Sequence, residues 1–187
     1  TGLEGFPEGD DDYLSLEEVP IIETWNAMLE AKKQGLVKHL GVSNFSVIKL
    51  KNLIDKTEEI PEMNQVELHP YLHQGGLLEF CHTHDIHLTA YSPLGSGDRS
   101  DEMKADDEPS LLENETINKI ANKHGVTAAQ ILIAFHLHRN TAVIPKSTNP
   151  KRIKENLESA TVKLDEDDMK TLKSLDCHYR YVDGKFF

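Results

Sequence analysis

The stretch VIPKSTNPKRIKENL (143–157) gathers four cations, Lys146, Lys151, Arg152 and Lys154, around a helix start. Asn149 suits the cap and Pro150 the first helical position. That end of a helix is already positive and repels cations. In a chain with a formal net charge of -12, the cluster suggests an anion receptor, with Lys146 and Arg152 flanking a helix N-terminus. Taken alone, such cations are more often ordinary surface charge. Other residues could hold a flat, amide-bearing group. Ser43, Asn44 and Gln65 offer hydroxyl and amide groups, and Tyr91 offers a flat aromatic face.

Apolar periodicity and turn residues predict the elements that must position these groups. Residues 1–18 read as a Gly-, Pro- and acid-rich loop. An amphipathic helix follows in IIETWNAMLEAKKQG, with Ile22, Trp25, Met28 and Leu29 on one face and Gly35 as its stop. Two start signals compete for it, Ser15-x-x-Glu18 and Pro20. Next come strand VKHLGV, helix SVIKLKNLIDK capped by Ser46, strand NQVEL, helix GGLLEFCHTHD and strand IHLTAY. A polar loop (92–110) leads to helices TINKIANKH and AAQILIAFHLH, the second capped by Thr127. Strand TAVI (141–144), the Pro150 helix and a helix capped by Asp165 complete the series. Four β-then-α units in alternation imply a parallel sheet with crossover helices, an α/β fold. Chemistry in such folds sits beyond the carboxyl ends of the strands. There the chain places Ser43 and Asn44, then Gln65 and Glu67 before His69-Pro70, then Tyr91 and Ser92, then Lys146, Ser147 and Thr148. A flat amide-bearing ring at one end and phosphate at the other describes a nicotinamide dinucleotide.

With 187 residues, 38% of them hydrophobic, the chain can bury a substantial core, and we expect a single domain over 1–187. Cys81 and Cys177 match no paired metal or redox spacing, which suits idle thiols in a reducing compartment. The absence of an apolar run near membrane length or of a signal segment points to the cytoplasm and to no membrane partner. The acidic balance argues against nucleic acid. The histidines of HTHDIH (82–87), with His136 and His138, invite a metal reading, but His82 and His84 are two apart on a helix and face different ways, so solvated or satisfied roles are expected. Asp10 to Asp12 lack the spaced ligands of a calcium loop.

Four strings in order, GVSNF (41–45), NQVELHPYL (64–72), YSPLGSGD (91–98) and IPKSTNPKRIKEN (144–156), resemble those of the aldo-keto reductase superfamily over essentially the whole chain. The resemblance implies a (β/α)8 TIM barrel that binds NADPH without the G-x-G-x-x-G fingerprint, which is absent here. It implies that Ser43, Asn44 and Gln65 hold the nicotinamide carboxamide and that Tyr91 stacks on the ring. Ser92, Leu94, Ser96 and Asp98 would lie along the pyrophosphate. Ile144 belongs to the last motif, in which Lys146, Ser147, Thr148 and Arg152 would surround the 2'-phosphate while Glu155 and Asn156 meet the adenine. The implied activity is reduction of a small-molecule aldehyde or ketone. The alternative is a non-catalytic dinucleotide-binding relative, such as a channel-associated or structural protein.

The family's catalytic Asp, Tyr, Lys and His have no surrounding motifs in these 187 residues. By this resemblance the chain supplies strands five to eight, the cofactor-binding half, with 1–18 as the loop after strand four. Relatives often continue past a tail such as 176–187 into a loop that shapes the substrate pocket. The intact protein is expected to be a monomer. This stretch alone is expected to be inactive and to self-associate through its open edges.

Overall fold

A computed structural model describes residues 14–57, 59–100, 104–105 and 107–182. The acidic triplet Asp10 to Asp12, most of the expected 1–18 loop and the end of the tail lie outside them. Helix α1 (Ile21–Lys33) begins directly after Pro20. The competing Ser15/Glu18 signal closes a separate turn, in which Ser15 N–H and Oγ each donate to the Glu18 carboxylate at 2.9 Å. Trp25 is the buried centre of α1, against Leu40 and Leu53, with Ile22, Met28 and Leu29 around it.

The chain then alternates as expected: β1 (Gly41–Ser43), α2 (Val47–Ile54), β2 (Met63–Glu67), α3 (Gly75–Thr83), β3 (His87–Tyr91), α4 (Glu115–His124), α5 (Ala128–Leu137), β4 (Ala142–Val143), α6 (Pro150–Glu158) and α7 (Glu166–Lys173). A 3-10 turn, Ser159–Thr161, follows α6 and is not legible from the periodicity. The four strands form one parallel sheet in the order β1-β2-β3-β4. Among the described residues β1 and β4 each pair on one side only.

Two strands are shorter than the sequence implies. VKHLGV reads as a strand from Val37, yet pairing with β2 begins only at Gly41. Leu36 to His39 are exposed, and Leu40 turns into the Trp25 cluster. At TAVI, Thr141 N–H donates to His136 O at 3.0 Å and so stays outside the ladder, leaving Ala142–Val143. Gly41 is required where it stands, because a Cβ there would lie 2.8 Å from Met63 O.

Side chains alternate across the sheet. Val42, Val66, Leu88, Ala90 and Val143 pack with Leu50, Leu77 and Cys81 of the covering helices α2 and α3. Burial pushes the Cys81 thiol up to about 11, so it is a packing residue. Alternation then turns Ser43, Gln65, Glu67, Thr89, Tyr91 and Ile144 to the opposite face.

The cap residues behave as the sequence implies. Ser46, Thr127, Asn149 and Asp165 each accept backbone N–H groups of the first turn. Asp165 and Asp168 form a reciprocal box at α7, and α4 fastens onto it. Lys123 Nζ lies 2.6 Å from Asp165 and 2.8 Å from Asp168, and His124 Nε2 lies 2.7 Å from Asp168. Burial pushes the Asp168 carboxyl up, but hydrogen bonds from Lys123, His124 and the Asp165 backbone together outweigh it and hold it at about 2, below its ordinary 3.8. A depressed carboxyl stabilises the fold fully above the unfolded value and loses that contribution as pH falls towards the folded one. Denaturant midpoints should therefore drop more steeply from about pH 4 to about pH 2 in the natural chain than in Asp168→Asn. Parallel profiles would contradict the clamp.

Candidate functional site

Parallel register sets the expected residues side by side. Ser43 stands opposite Gln65, Gln65 opposite Thr89, and Glu67 opposite Tyr91. Ile144 N–H continues the ladder to Ala90 O at 3.3 Å. Ser43, Gln65 and Thr89 thus form one row on the face turned away from α2 and α3, and Glu67, Tyr91 and Ile144 form the next row towards the strand exits. Two exits carry backbone conformations that L-residues rarely adopt, Asn44 at φ 59° and Ser92 at φ 50°. Strain of this kind collects at functional positions.

The β1 exit is anchored from β2. Ser43 Oγ donates to Gln65 O at 3.0 Å, and Asn44 N–H donates to the same carbonyl at 2.9 Å. Asn64, fully buried, donates Nδ2 to Phe45 O at 2.8 Å and accepts Phe45 N–H at 3.3 Å. Asn64 is a positioning residue that the sequence reading passed over. Its signal was an amide on the helix-facing side of an apolar strand, where a polar group needs partners.

Tyr91 is half-buried, and its phenol oxygen is buried without a hydrogen-bond partner. Burial, reinforced by the Glu67 carboxylate, pushes the phenol up to about 12. Tyr91 is therefore a poor proton donor near neutrality and offers a ring face instead.

The loop after β3 folds tightly. Ser92 and Ser96 hydroxyls lie 2.5 Å apart, and Gly95 N–H donates to Ser92 O at 3.0 Å. Leu94 is partly buried and packs against the core cluster that holds Tyr71 and Ile117. From this loop Asp98 reaches Lys146 Nζ at 3.0 Å, joining the β3 and β4 exits. That hydrogen bond and the Lys146 charge hold the Asp98 carboxyl below its usual range.

The α6 start differs from expectation in one respect. Asn149 Oδ1 already accepts the N–H groups of Lys151 at 2.9 Å and Arg152 at 3.2 Å, and Pro150 has none to give. The helix end keeps its dipole but not its free donors. An anion here would be met by side chains: Lys146, Thr148 and Arg152 are exposed, and Ser147 is partly so. Ser147 Oγ also accepts Asn149 N–H at 3.2 Å. Lys151 pairs with Glu155 at 3.7 Å, whereas Arg152 makes no ion pair among the described residues. Glu155 and Asn156 are partly exposed on α6.

Glu67 was placed at an exit but given no task. It is fully buried, accepts Tyr181 N–H at 2.7 Å and Val182 N–H at 3.2 Å, and lies 2.9 Å from His69 Nε2. It pins the tail, whose Tyr181 hydroxyl donates to Pro109 O at 2.7 Å while Arg99 donates to Tyr181 O. A carboxylate in a strand rich in apolar residues signals a partnered charge, but the partner, more than 110 residues away, is not legible locally.

The histidines do not all meet the expectation of satisfied roles. His84 Nδ1 bonds Phe80 O at 2.8 Å, and His138 accepts Leu164 N–H at 3.2 Å. His136 is wholly buried with neither ring nitrogen bonded, and burial holds its pKa well down. Among the described residues no cluster of His, Cys, Asp and Glu could hold a metal, and no helix is long and apolar enough to cross a membrane.

A family model described as the aldo/keto reductase family matches residues 11–176. Aldo/keto reductase slr0942 of Synechocystis sp. is 46% identical over 183 residues, covering 98% of this chain and 56% of the relative. The NADH-dependent D-xylose reductase of Candida parapsilosis is 41% identical, covering 95% and 55%. The prostaglandin-E(2) 9-reductase of Oryctolagus cuniculus is 42% identical, covering 99% and 58%. A crystal structure of Gox0644 in its apo form superposes with a TM-score of 0.73 at 43% identity, over 83% of this chain and 53% of that one. The chain thus spans a little over half the length of these relatives.

Proposed function

This chain belongs to the aldo/keto reductase family, and from that premise we propose that it builds the NADPH site of an oxidoreductase that reduces aldehydes or ketones to alcohols. The observation that carries the reading is that Ser43, Gln65 and Tyr91 share one sheet face in two adjacent rows, with Lys146 and Arg152 beyond the next strand. These residues fit a nicotinamide dinucleotide. Hydroxyl and amide groups stand beside an aromatic face, and Arg152 is a cation without an ion-pair partner among the described residues.

In this reading Ser43, Asn44 and Gln65 fix the carboxamide, and Tyr91 presses one face of the ring so that the other faces substrate. Ser92, Leu94, Ser96 and Asp98 line the pyrophosphate. Ile144 borders the dinucleotide. Lys146, Ser147, Thr148 and Arg152 surround the 2'-phosphate, and Glu155 and Asn156 meet the adenine. The cofactor supplies the hydride. Tyr91, with its raised pKa, does not supply the proton. We further propose that the chain corresponds to strands five to eight of a (β/α)8 barrel and that the acid comes from elsewhere in the whole protein. The open four-stranded sheet and the share of the relatives spanned support this.

A relative named as NADH-dependent is 41% identical, so overall similarity does not choose the cofactor and the cations must. A charge-assisted contact to phosphate contributes about 1.5 to 3 kcal/mol. In the full-length protein Arg152→Ala should weaken NADPH by roughly tenfold and leave NADH nearly unchanged. Lys146→Ala should act in the same direction but less, because Lys146 is largely exposed and already shared with Asp98. Binding titrations with both cofactors decide it, and equal losses would overturn the assignment.

A further inference from the structure

In a chain with 32 acidic and 20 basic residues, one groove gathers three histidines, an arginine and a lysine in its lining. It holds about 510 Å³ between the start of α3, the end of α5 and α7, and its polar lining is His73, His82, His138, Arg139, Asn140 and Lys173. His138 is bonded at both ring nitrogens and is already committed.

Two of the others are nine-tenths buried and incompletely bonded. Arg139, 9% exposed, donates Nη2 to His73 O at 2.7 Å and lies 5.0 Å over the Phe135 ring, but its Nη1 is buried without a partner. His73, also 9% exposed, keeps Nε2 buried without a hydrogen-bond partner among the described residues. Asp176 stands 3.8 Å from His73 Nδ1 and forms no salt bridge with Arg139 among the described residues. The Asp176 charge acts on Arg139 from nearby, but a buried guanidinium without a direct salt bridge keeps part of its desolvation cost. Buried donors left open in a folded protein call for a water, an ion or a ligand.

We propose that this groove binds a small oxyanion, phosphate or carboxylate, held by Arg139 and Lys173 with His73 donating through Nε2–H. Burial and the Arg139 charge lower the His73 pKa, against the opposing pull of Asp176 and the Leu172 backbone. Lys173, exposed in the last turn of α7, lines the groove. None of the residues assigned to the dinucleotide lines this groove.

The test uses the full-length protein carrying Lys146→Ala and Arg152→Ala, so that a phosphate signal cannot arise at the dinucleotide site and the two assignments fail separately. Inorganic phosphate and acetate are titrated in parallel against chloride at equal ionic strength, reading the imidazole resonances of His73 and His82. Saturable shifts with phosphate or acetate, absent with chloride, are expected, and the stronger of the two identifies the ligand class. Adding Arg139→Gln, which keeps a donor for His73 O, should weaken the response at least about tenfold. Lys173→Gln, on the surface and safe for folding, should weaken it about threefold. No saturable shift, a shift equal to that of chloride, or a response unchanged in Lys173→Gln would overturn the proposal.

Discussion

If Tyr91 backs the nicotinamide as proposed, Tyr91→Ala in the full-length protein should slow hydride transfer in a single turnover by roughly 100-fold, whereas Tyr91→Phe should leave it nearly unchanged. The contrast follows from the two ends of the side chain. The ring stands in register beside Glu67 and one strand from Ile144, on the face that carries Ser43 and Gln65. Removing it lets the nicotinamide ring shift, and misplacement of about 1 Å can cost about 100-fold in rate. The phenol oxygen has no hydrogen-bond partner, and its pKa is pushed up to about 12. Taking it away relieves a buried polar group instead of breaking a bond. A rate loss in Tyr91→Phe equal to that in Tyr91→Ala would make Tyr91 a proton donor, and a natural rate in Tyr91→Ala would remove it from the site.

Glu67→Ala should be the most destabilising single change on this sheet face, by about 3 kcal/mol or more. The carboxylate is fully buried and meets the backbone N–H groups of Tyr181 and Val182, His69 Nε2, and Arg180 Nη1 at 3.9 Å. Breaking a buried charged network from one side costs about 3 to 5 kcal/mol, because the remaining groups stay buried without an acceptor. The denaturant midpoint should fall with an unchanged slope, and the Tyr181 and Val182 amides should lose protection against hydrogen exchange. Natural stability with natural amide protection would show that the tail is held by Arg99 and the Tyr181 hydroxyl instead.

Local chemistry made most of the fold readable. Ser46, Thr127, Asn149 and Asp165 marked helix starts because an N-cap needs only its own first turn. NQVEL and IHLTAY were recognisable as strands within a residue or two, since their apolar positions face α2 and α3. VKHLGV misled because Val37 has strand propensity but no strand beside it, and pairing is a property of the neighbour. At the site, the row of polar groups could be read from the strand ends. The cation cluster could also be read, but not that Asn149 would occupy the first free N–H groups of α6 or that Asp98 would meet Lys146 across 48 residues. Glu67 and its tail, like Arg139 and the His73 carbonyl, are contacts between distant segments and leave no periodic trace.

In the proposed reading one sheet face of this chain, continued by the α6 start, is the seat of NADPH. Its most direct test is a crystal structure of the full-length protein with NADP⁺ bound. The nicotinamide is expected against the Tyr91 ring with its carboxamide at Asn44 and Gln65, and the 2'-phosphate between Lys146 and Arg152. A dinucleotide bound on another surface, or one whose 2'-phosphate leaves Arg152 without a contact, would contradict it.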